Sequence, residues 1–512
     1  MMVKKRLSTP GGTRSRGIHL LLPSLALAGL GWTGSLAADV FLSAYAGAQP
    51  VIQRTINAYG GADRLQTLET IYLKTEGTIY QRYQSRVPGP PFDELEGNEN
   101  TYLLDLAGDQ FRGEFRGPIF ANGLIIRDGK TYNLDLVRET WTEAPSAPGL
   151  RQHFIQRIVP PLLALKLYQR SRSVTLAGTS TIDGQLNDVL SLAWDNGNLY
   201  MVHVARDSGL ISRYDILAPD QVVGDTIAES YFSDYEDVDG IPFPMRRWQQ
   251  IGGEKTVDFR TVEVDFAPDL EDRFAVPDGY VELPSPAPPA SELRELAKGV
   301  YLGNGAYQNL YIDMGEYLIS VDAGGGPALV RTDLAQLDAL TEGKPLRYAV
   351  MTHHHSDHTD GVDALSATGA TVVSSERNRA YLTALVNGRR YLAANAERPL
   401  QPEGGLAYLA IGDQHTFKEG RRRVEVYRLP NAHAEDYYVV YLPREKLLYG
   451  ADVFNLPASG PAFPANEMFD GFYQGLRALD LKIKIVANAH GPLGTGADLE
   501  ARADGAKTGT DN

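Results

Sequence analysis

The sequence predicts an α+β chain in two parts: an antiparallel, β-rich part, then a layered part in which strands and helices alternate. Three observations predict it. Between residues 70 and 265, stretches such as "IYLKTEGTIYQRY", "TYLLDLAGDQFRGEF" and "SLAWDNGNLYMVHVARDSG" alternate apolar and polar residues around Gly, Asn and Asp turns. Between 293 and 498, short apolar runs of strand type alternate with helical ones such as "RTDLAQLDALT". Between the two lies "LPSPAPPASE", whose four prolines favour an extended spacer. At 512 residues the chain is too long for one ordinary core, so a division is expected there.

The first 38 residues read as a signal peptide. Lys4, Lys5, Arg6, Arg14 and Arg16 precede the apolar "IHLLLPSLALAGLGWTGSLAAD", and no acid occurs before Asp39. The run ends in small residues, so cleavage is expected after Ala37 or Ala38. An uncleaved anchor is the alternative, disfavoured by Pro23 and the glycines that interrupt the run. No other stretch is long and apolar enough to span a bilayer. The chain has no cysteine, which excludes disulfides and an N-terminal lipidated cysteine. Periplasmic or secreted localisation follows. The formal charge of −15 disfavours a nucleic-acid partner, because phosphate binding wants a basic face.

Residues 39–283 form the expected β-rich domain. It opens on a helix, with Val51, Ile52, Thr55, Ile56 and Tyr59 at helical spacing and Gly60-Gly61 as its stop. The segment "YGGADRLQTLETI", the β run and the closing "RFAVPDGY" together resemble the curved sheet of periplasmic lipoprotein carriers. That resemblance implies a concave apolar face for a lipid or a protein partner; a packed accessory domain without a ligand is the other reading.

Residues 284–292 are the spacer, and 293–498 the layered domain. "NLYIDMGEYLISVDAGGG" reads as a hairpin-like pair ending at Asp322, and "RYAVMTHHH" as a buried strand. "GVDALSATG" reads as a helix and "TVVSSE" as a strand. "RRVEVYRLPNAH", "YYVVYLPREKLLYGAD" and "KIKIVANAHGP" read as strands that each end at a His or Asp. Strand ends in a layered scaffold are where reactive side chains collect. Residues 499–512 read as a disordered tail.

The segment "THHHSDHTDG" holds four of the ten histidines. Alternate residues of an extended segment point the same way, so His353 and His355 can converge on one ion. Asp357 and His358 lie past a turn and can face a second. His354 falls in a spacer position, structural or facing solvent, and is not read as a ligand. Without thiols, any metal site here must use His, Asp and Glu. His433, Asp452 and His490, each at the end of an apolar strand, supply further donors.

With these residues in this order, the second domain resembles the metallo-β-lactamase-fold hydrolases. The resemblance implies an αββα sandwich and a buried supporting aspartate at Asp322. It implies one metal on His353, His355 and His433, a second on Asp357, His358 and His490, and Asp452 bridging both. Two zinc ions per chain are the default, with iron or manganese also compatible with such ligands. It implies cleavage of a small ester, lactone, amide or sulfate by a hydroxide held between the ions, with Asp357 as proton relay. Lack of cysteine together with Asp452 tilts the reading away from a dedicated lactamase. Two other readings stand beside it. One is a lipid- or partner-binding periplasmic protein with an accessory metal domain. The other is an iron-dependent oxidoreductase of the same fold.

The substrate, a small molecule, is expected to meet the loops 377–405 and 455–475. They carry Tyr381, Tyr391, Phe463, Phe469, Phe472 and Tyr473, either as an apolar pocket or as rings that pack the loops down. Arg389, Arg390 and Arg398 are candidate anion contacts or solvated side chains, and Arg421 to Arg423 a charged strand edge.

Overall fold

A computed structural model describes residues 33–145, 158–194, 198–270, 272–284, 292–305, 307–392, 405–456 and 466–508. Most of the expected signal peptide and of the proline-rich spacer lies outside the described residues. No described helix is long and apolar enough to cross a membrane.

The first domain is one fourteen-stranded sheet. It is an open sheet of two runs of sequential strands joined at its middle: Thr70–Tyr80 pairs antiparallel with Glu94–Asp105 on one side and with Glu254–Asp265 on the other. Helices Thr33–Ala58 and Pro160–Gln169 pack on it. Val51, Ile52, Ile56 and Tyr59 enter a core with Leu163, Leu167, Leu104, Phe111, Val202 and Tyr214. The predicted stop is real. Gly60 and Gly61 sit at φ 91° and 92°, and their N–H groups bond back to Asn57 and Ile56, the pattern that closes a helix through a left-handed residue. The start differs from the reading, because the helix begins at Thr33 and runs through Pro50. Its earlier turns expose Val40, Phe41 and Leu42, so no buried periodicity marks them in the sequence.

The second domain is the expected αββα sandwich. A seven-stranded sheet starts at Glu292–Ala297 and a five-stranded sheet runs from Gln414–Glu419 to Ile485–Ala487. Their inner faces share a core that includes Ile319, Val321 and Val350 from one sheet and Val426, Val439 and Leu448 from the other. Leu318, Ala349 and Met351 point the other way, onto helices Gly326–Leu340, Val362–Ser366 and Arg379–Asn387. Burying each of the Val, Leu, Ile and Met side chains contributes about 1.5–3 kcal/mol. This apolar layering therefore holds the strand ends that carry the polar site.

One expectation is corrected. Residues 496–508 are a helix, not a frayed tail. Leu499 and Ala503 are buried against the layer formed by Phe469 and Phe472. Thr495 and Asp498 cap each other reciprocally, with Thr495 N donating to Asp498 Oδ2 at 2.8 Å and Asp498 N to Thr495 Oγ1 at 3.3 Å. The low apolar content of "ARADGAKTGTDN" hid that start signal.

Among the described residues, the two domains touch at the turn 220–225 and at the loop 81–93. The turn at 220–225 meets 388–392, where Arg390 donates to the carbonyls of Asp220 at 2.7 Å and Gln221 at 2.8 Å, and Asp225 N donates to Arg389 O at 2.7 Å. The second connection is the loop 81–93, between the adjacent strands Thr70–Tyr80 and Glu94–Asp105 of the large sheet, which reaches the site described next.

Candidate metal centre

Topology brings the predicted residues to one edge. In the five-stranded sheet, Arg422–Leu429 is antiparallel to Tyr437–Leu442, which is antiparallel to Leu447–Tyr449, which is parallel to Ile485–Ala487. The first, third and fourth of these strands therefore end on the same side. His433, Asp452 and His490 follow those ends. Facing them, the buried strand Leu346–Val350 leads into Thr352–His355 and the short helix Ser356–Thr359.

Two groups of donors result. His353, His355, His433 and Asp452 have ligand atoms within 4.8 Å of one another, and so do Asp357, His358, Asp452 and His490. Asp452 belongs to both. Its Oδ2 lies 3.1 Å from His433 Nε2, while its Oδ1 lies 3.5 Å from His490 Nε2 and 3.7 Å from His358 Nε2. His353 Nε2 and His433 Nε2 are 3.1 Å apart. Asp357 Oδ2 is 3.2 Å from His490 Nε2.

The donors fit cations. His355 Nε2 donates to the carbonyl of Ser85 at 3.0 Å, so its Nδ1 presents a lone pair. His353 Nδ1 contacts Thr352 Oγ1 at 3.1 Å, and that hydroxyl itself donates to Asp322 Oδ2 at 3.0 Å, so His353 Nε2 is the free-lone-pair nitrogen. His358 Nδ1 meets Asp322 Oδ2 at 2.8 Å. His355 Nδ1 and His358 Nε2 are buried and have no hydrogen-bond partner. Buried nitrogens without partners are costly, and a metal ion is what such a nitrogen accepts when its ring is held from behind.

Asp322 organises this backing. It is buried, at φ 61° in the left-handed region, and takes bonds from Thr352 N at 2.8 Å and Tyr449 OH at 3.1 Å besides those already named. Tyr437 does the same for Asp452. Its hydroxyl accepts from Asp452 N at 2.7 Å and Val453 N at 3.0 Å, and donates to Gly450 O at 2.6 Å. These bonds hold a turn in which Ala451 sits at φ 54°.

Electrostatics agree with the donor roles. Burial, then the neighbouring imidazoles, pushes His353 and His355 well below the usual histidine range, so both are neutral. Burial alone would raise Asp452, but His358 and His433 outweigh it and hold the carboxylate ionised. Asp357 is lowered in the same way, by His490 and His358 against its own burial. Burial would depress His358, yet Asp322 and Asp452 raise it well above the usual range. A cation entering there displaces a proton.

His354 is buried rather than solvent-facing. It lies outside both donor groups with its ring 5.7 Å from Tyr381, and burial pushes it down to about 4. The substrate-loop aromatics divide. Tyr381, Phe469 and Phe472 are buried in the cores, Tyr473 stacks on Phe469, and Tyr391 is 85% exposed. Phe463 and Arg398 lie outside the described residues. Arg390 ties the domains together instead of facing an anion. Arg422 is likewise a tie and not an edge charge, bonded to the carbonyls of Gly299 at 3.0 Å and Asp313 at 2.8 Å.

Sequence reasoning missed the contribution of loop 81–93. Ser85 O meets His355, Gln84 Nε2 donates to Asp357 Oδ1 at 2.8 Å, and Ser356 N donates to Tyr83 O at 3.2 Å. These contacts join residues about 270 positions apart, and no local pattern announces them. Tyr437 and Tyr449 did leave a signal: a tyrosine in a wholly buried strand needs a partner for its hydroxyl.

Residues 313–490 match the sequence profile of the metallo-beta-lactamase superfamily. Among solved structures, the chain is similar to a metallo-beta-lactamase from Pontibacter korlensis at 23% identity, covering 42% of this chain and 99% of that one, with a TM-score of 0.33. It is also similar to a metallo-beta-lactamase from Hirschia baltica at 22% identity, covering 42% and 97%, with a TM-score of 0.32. With the profile match falling on the αββα sandwich and its donor cluster, the second domain of this chain is a metallo-beta-lactamase superfamily domain.

Proposed function

We propose that the chain is an exported hydrolase that uses two zinc ions to cleave a small ester, lactone, amide or sulfate. One observation carries the reading: Asp452 faces both donor groups, one carboxylate oxygen to each. Three imidazoles complete the first group, and Asp357, His358 and His490 complete the second. Imidazole and carboxylate donors suit zinc, and also iron or manganese. Divalent ions held there supply Lewis acidity and an activated water.

The chain's own residues do the rest. Thr352, Asp322 and Ser85 fix which nitrogen each ring presents. Gln84 donates to Asp357 Oδ1 and so turns Oδ2 to the second donor group, which leaves the remaining lone pair of Oδ1, on a side chain one quarter exposed, to accept a proton during attack and deliver it to the departing group. The buried flank formed by Thr352 and Tyr437 keeps water to one side of the cluster. The export reading rests on the basic, then apolar, segment before Asp39.

The test is metal analysis with a substrate panel of esters, lactones, β-lactams and aryl sulfates on wild type and on Asp452→Ala. Two zinc per chain and turnover lost in the variant are expected. One iron per chain with an optical band, or full turnover in Asp452→Ala, overturns the reading. Protein recovered from a periplasmic extract is expected to begin at Ala38 or Asp39.

A further inference from the structure

Both domains build a cavity of about 970 Å3 beside the donor cluster. His355, Ser356 and His433 lie on its floor, and Met468 borders it. The first domain supplies the wall. Ile79 and Leu95 flank the loop 81–93, Ile119 and Phe120 come from the turn before Ala121–Arg127, and Ile251 and Val257 come from neighbouring strands. None of the six is fully buried. Ile251 borders the first domain's core, whereas the other five belong to no hydrophobic core of the described residues. Apolar side chains that serve no core and ring a cavity are exposed at a cost in water, which an apolar occupant removes.

The charged residues around the cavity are already partnered. Arg82 lies 3.4 Å from Asp220, Arg86 lies 3.4 Å from Glu435, and Asp93 accepts from Arg86 N at 2.6 Å. The wall therefore offers area and little unspent charge. A volume of this order suits a ligand of drug size.

We propose that this cavity holds the uncharged hydrocarbon chain of the substrate, so that the substrate is a carboxylic ester with a medium-length apolar acyl chain. This rests on the hydrolase reading above. Water adds its oxygen to the acyl carbon, the bond from that carbon to the alcohol oxygen breaks, and the alcohol oxygen takes the proton. The chain lies along the wall of the first domain, and the scissile carbonyl lies at the floor. The first domain thereby sets specificity.

The experiment has two arms. In the first, the metal-loaded protein is given p-nitrophenyl acetate, butyrate, hexanoate and octanoate. kcat/KM is expected to rise roughly two- to fourfold per added methylene. The octanoate-to-acetate ratio is expected to fall at least tenfold in Ile119→Asp and in Val257→Trp. Ile119 is 75% exposed, so its replacement does not disturb a core. In the second arm, the metal-free protein is titrated with dansyl-undecanoate. Saturable fluorescence enhancement is expected, displaced by decanoate and weakened several-fold in both variants. A ratio that is flat with chain length, or a probe that does not bind or binds wild type and both variants equally, overturns the proposal. If no ester is turned over while the probe binds in a variant-sensitive way, the ester assignment is overturned and the apolar chain site stands; if the wider panel of lactones, β-lactams and aryl sulfates is not turned over either, the hydrolase reading fails with it.

Discussion

The carbonyl of Ser85 accepts a hydrogen bond from His355 Nε2 at 3.0 Å, across 270 positions of sequence and from one domain to the other. A ring held this way presents Nδ1 and no other nitrogen to the donor cluster. The first domain therefore takes part in orienting the donor cluster, through the loop 81–93, without contributing a donor itself. Ser85 itself is kept in place by its hydroxyl, which accepts from Asp93 N at 2.7 Å in a buried setting. Ser85→Ala leaves that N–H without its partner. We expect a loss of about 1 kcal/mol in urea unfolding and metal retention weakened several-fold against a chelator.

Asp322→Asn separates charge from backbone strain. Asparagine tolerates the left-handed conformation at φ 61° almost as well as aspartate, so the turn survives. Asn cannot accept from Thr352 and His358 on one ionised oxygen. Metal affinity is expected to fall roughly 10- to 100-fold, the usual cost of removing a partner behind a ligand. Chelator competition on the folded variant measures it. Asp322→Val should additionally unfold at lower denaturant, because a β-branched residue is strained there.

Tyr437→Phe tests the support of the shared carboxylate. The phenol accepts from two backbone N–H groups, at Asp452 and Val453. Removing it strands them inside the protein, at about 1–3 kcal/mol for each N–H left unsatisfied. Stability in denaturant and turnover should fall together, and Asp452→Ala should lose turnover with less effect on stability.

Gln84 is a positioning residue for Asp357. Gln84→Ala should leave stability within about 0.5 kcal/mol, since the side chain is exposed. It should lower kcat more than it raises KM. Gln84→Glu sets a second carboxylate against Asp357 and should lower kcat further. Equal kcat in all three proteins at equal metal content would count against this role.

Glu114 predicts an acid limit away from the site. Its own burial would raise the carboxyl, but bonds from Arg112 at 2.7 Å and Arg116 at 3.1 Å outweigh that and hold it below the usual range. A carboxyl lowered in the folded state contributes stability that is present above its unfolded pKa, about 4.3. That stability is lost as pH falls through the lower folded value. The contribution is below about 1 kcal/mol for a partly exposed group. Glu114→Gln should flatten the urea midpoint between pH 5 and pH 3 relative to wild type.

The donors were legible in the sequence because each is tied to local chemistry. His353 and His355 alternate on an extended segment, and His433, Asp452 and His490 follow apolar strands whose period is visible. The helix stop at Gly60-Gly61 was legible for the same reason. The exposed turns before Pro50 and the helix at 496–508 were not, because a reading of buried periodicity is blind to helices that bury only one or two residues.

The sequence by itself determined the two-part α+β layout, the αββα domain and which histidines and aspartates are the candidate donors, since spacing and apolar period are properties of neighbouring residues. Only the tertiary structure decided that Ser85 and Gln84 reach the site from the other domain, and that the apolar wall comes from that domain and not from the loops beside the histidines. Those relations are distances between residues far apart in the chain. They are set by how two sheets and one inter-strand loop pack, which no local pattern encodes.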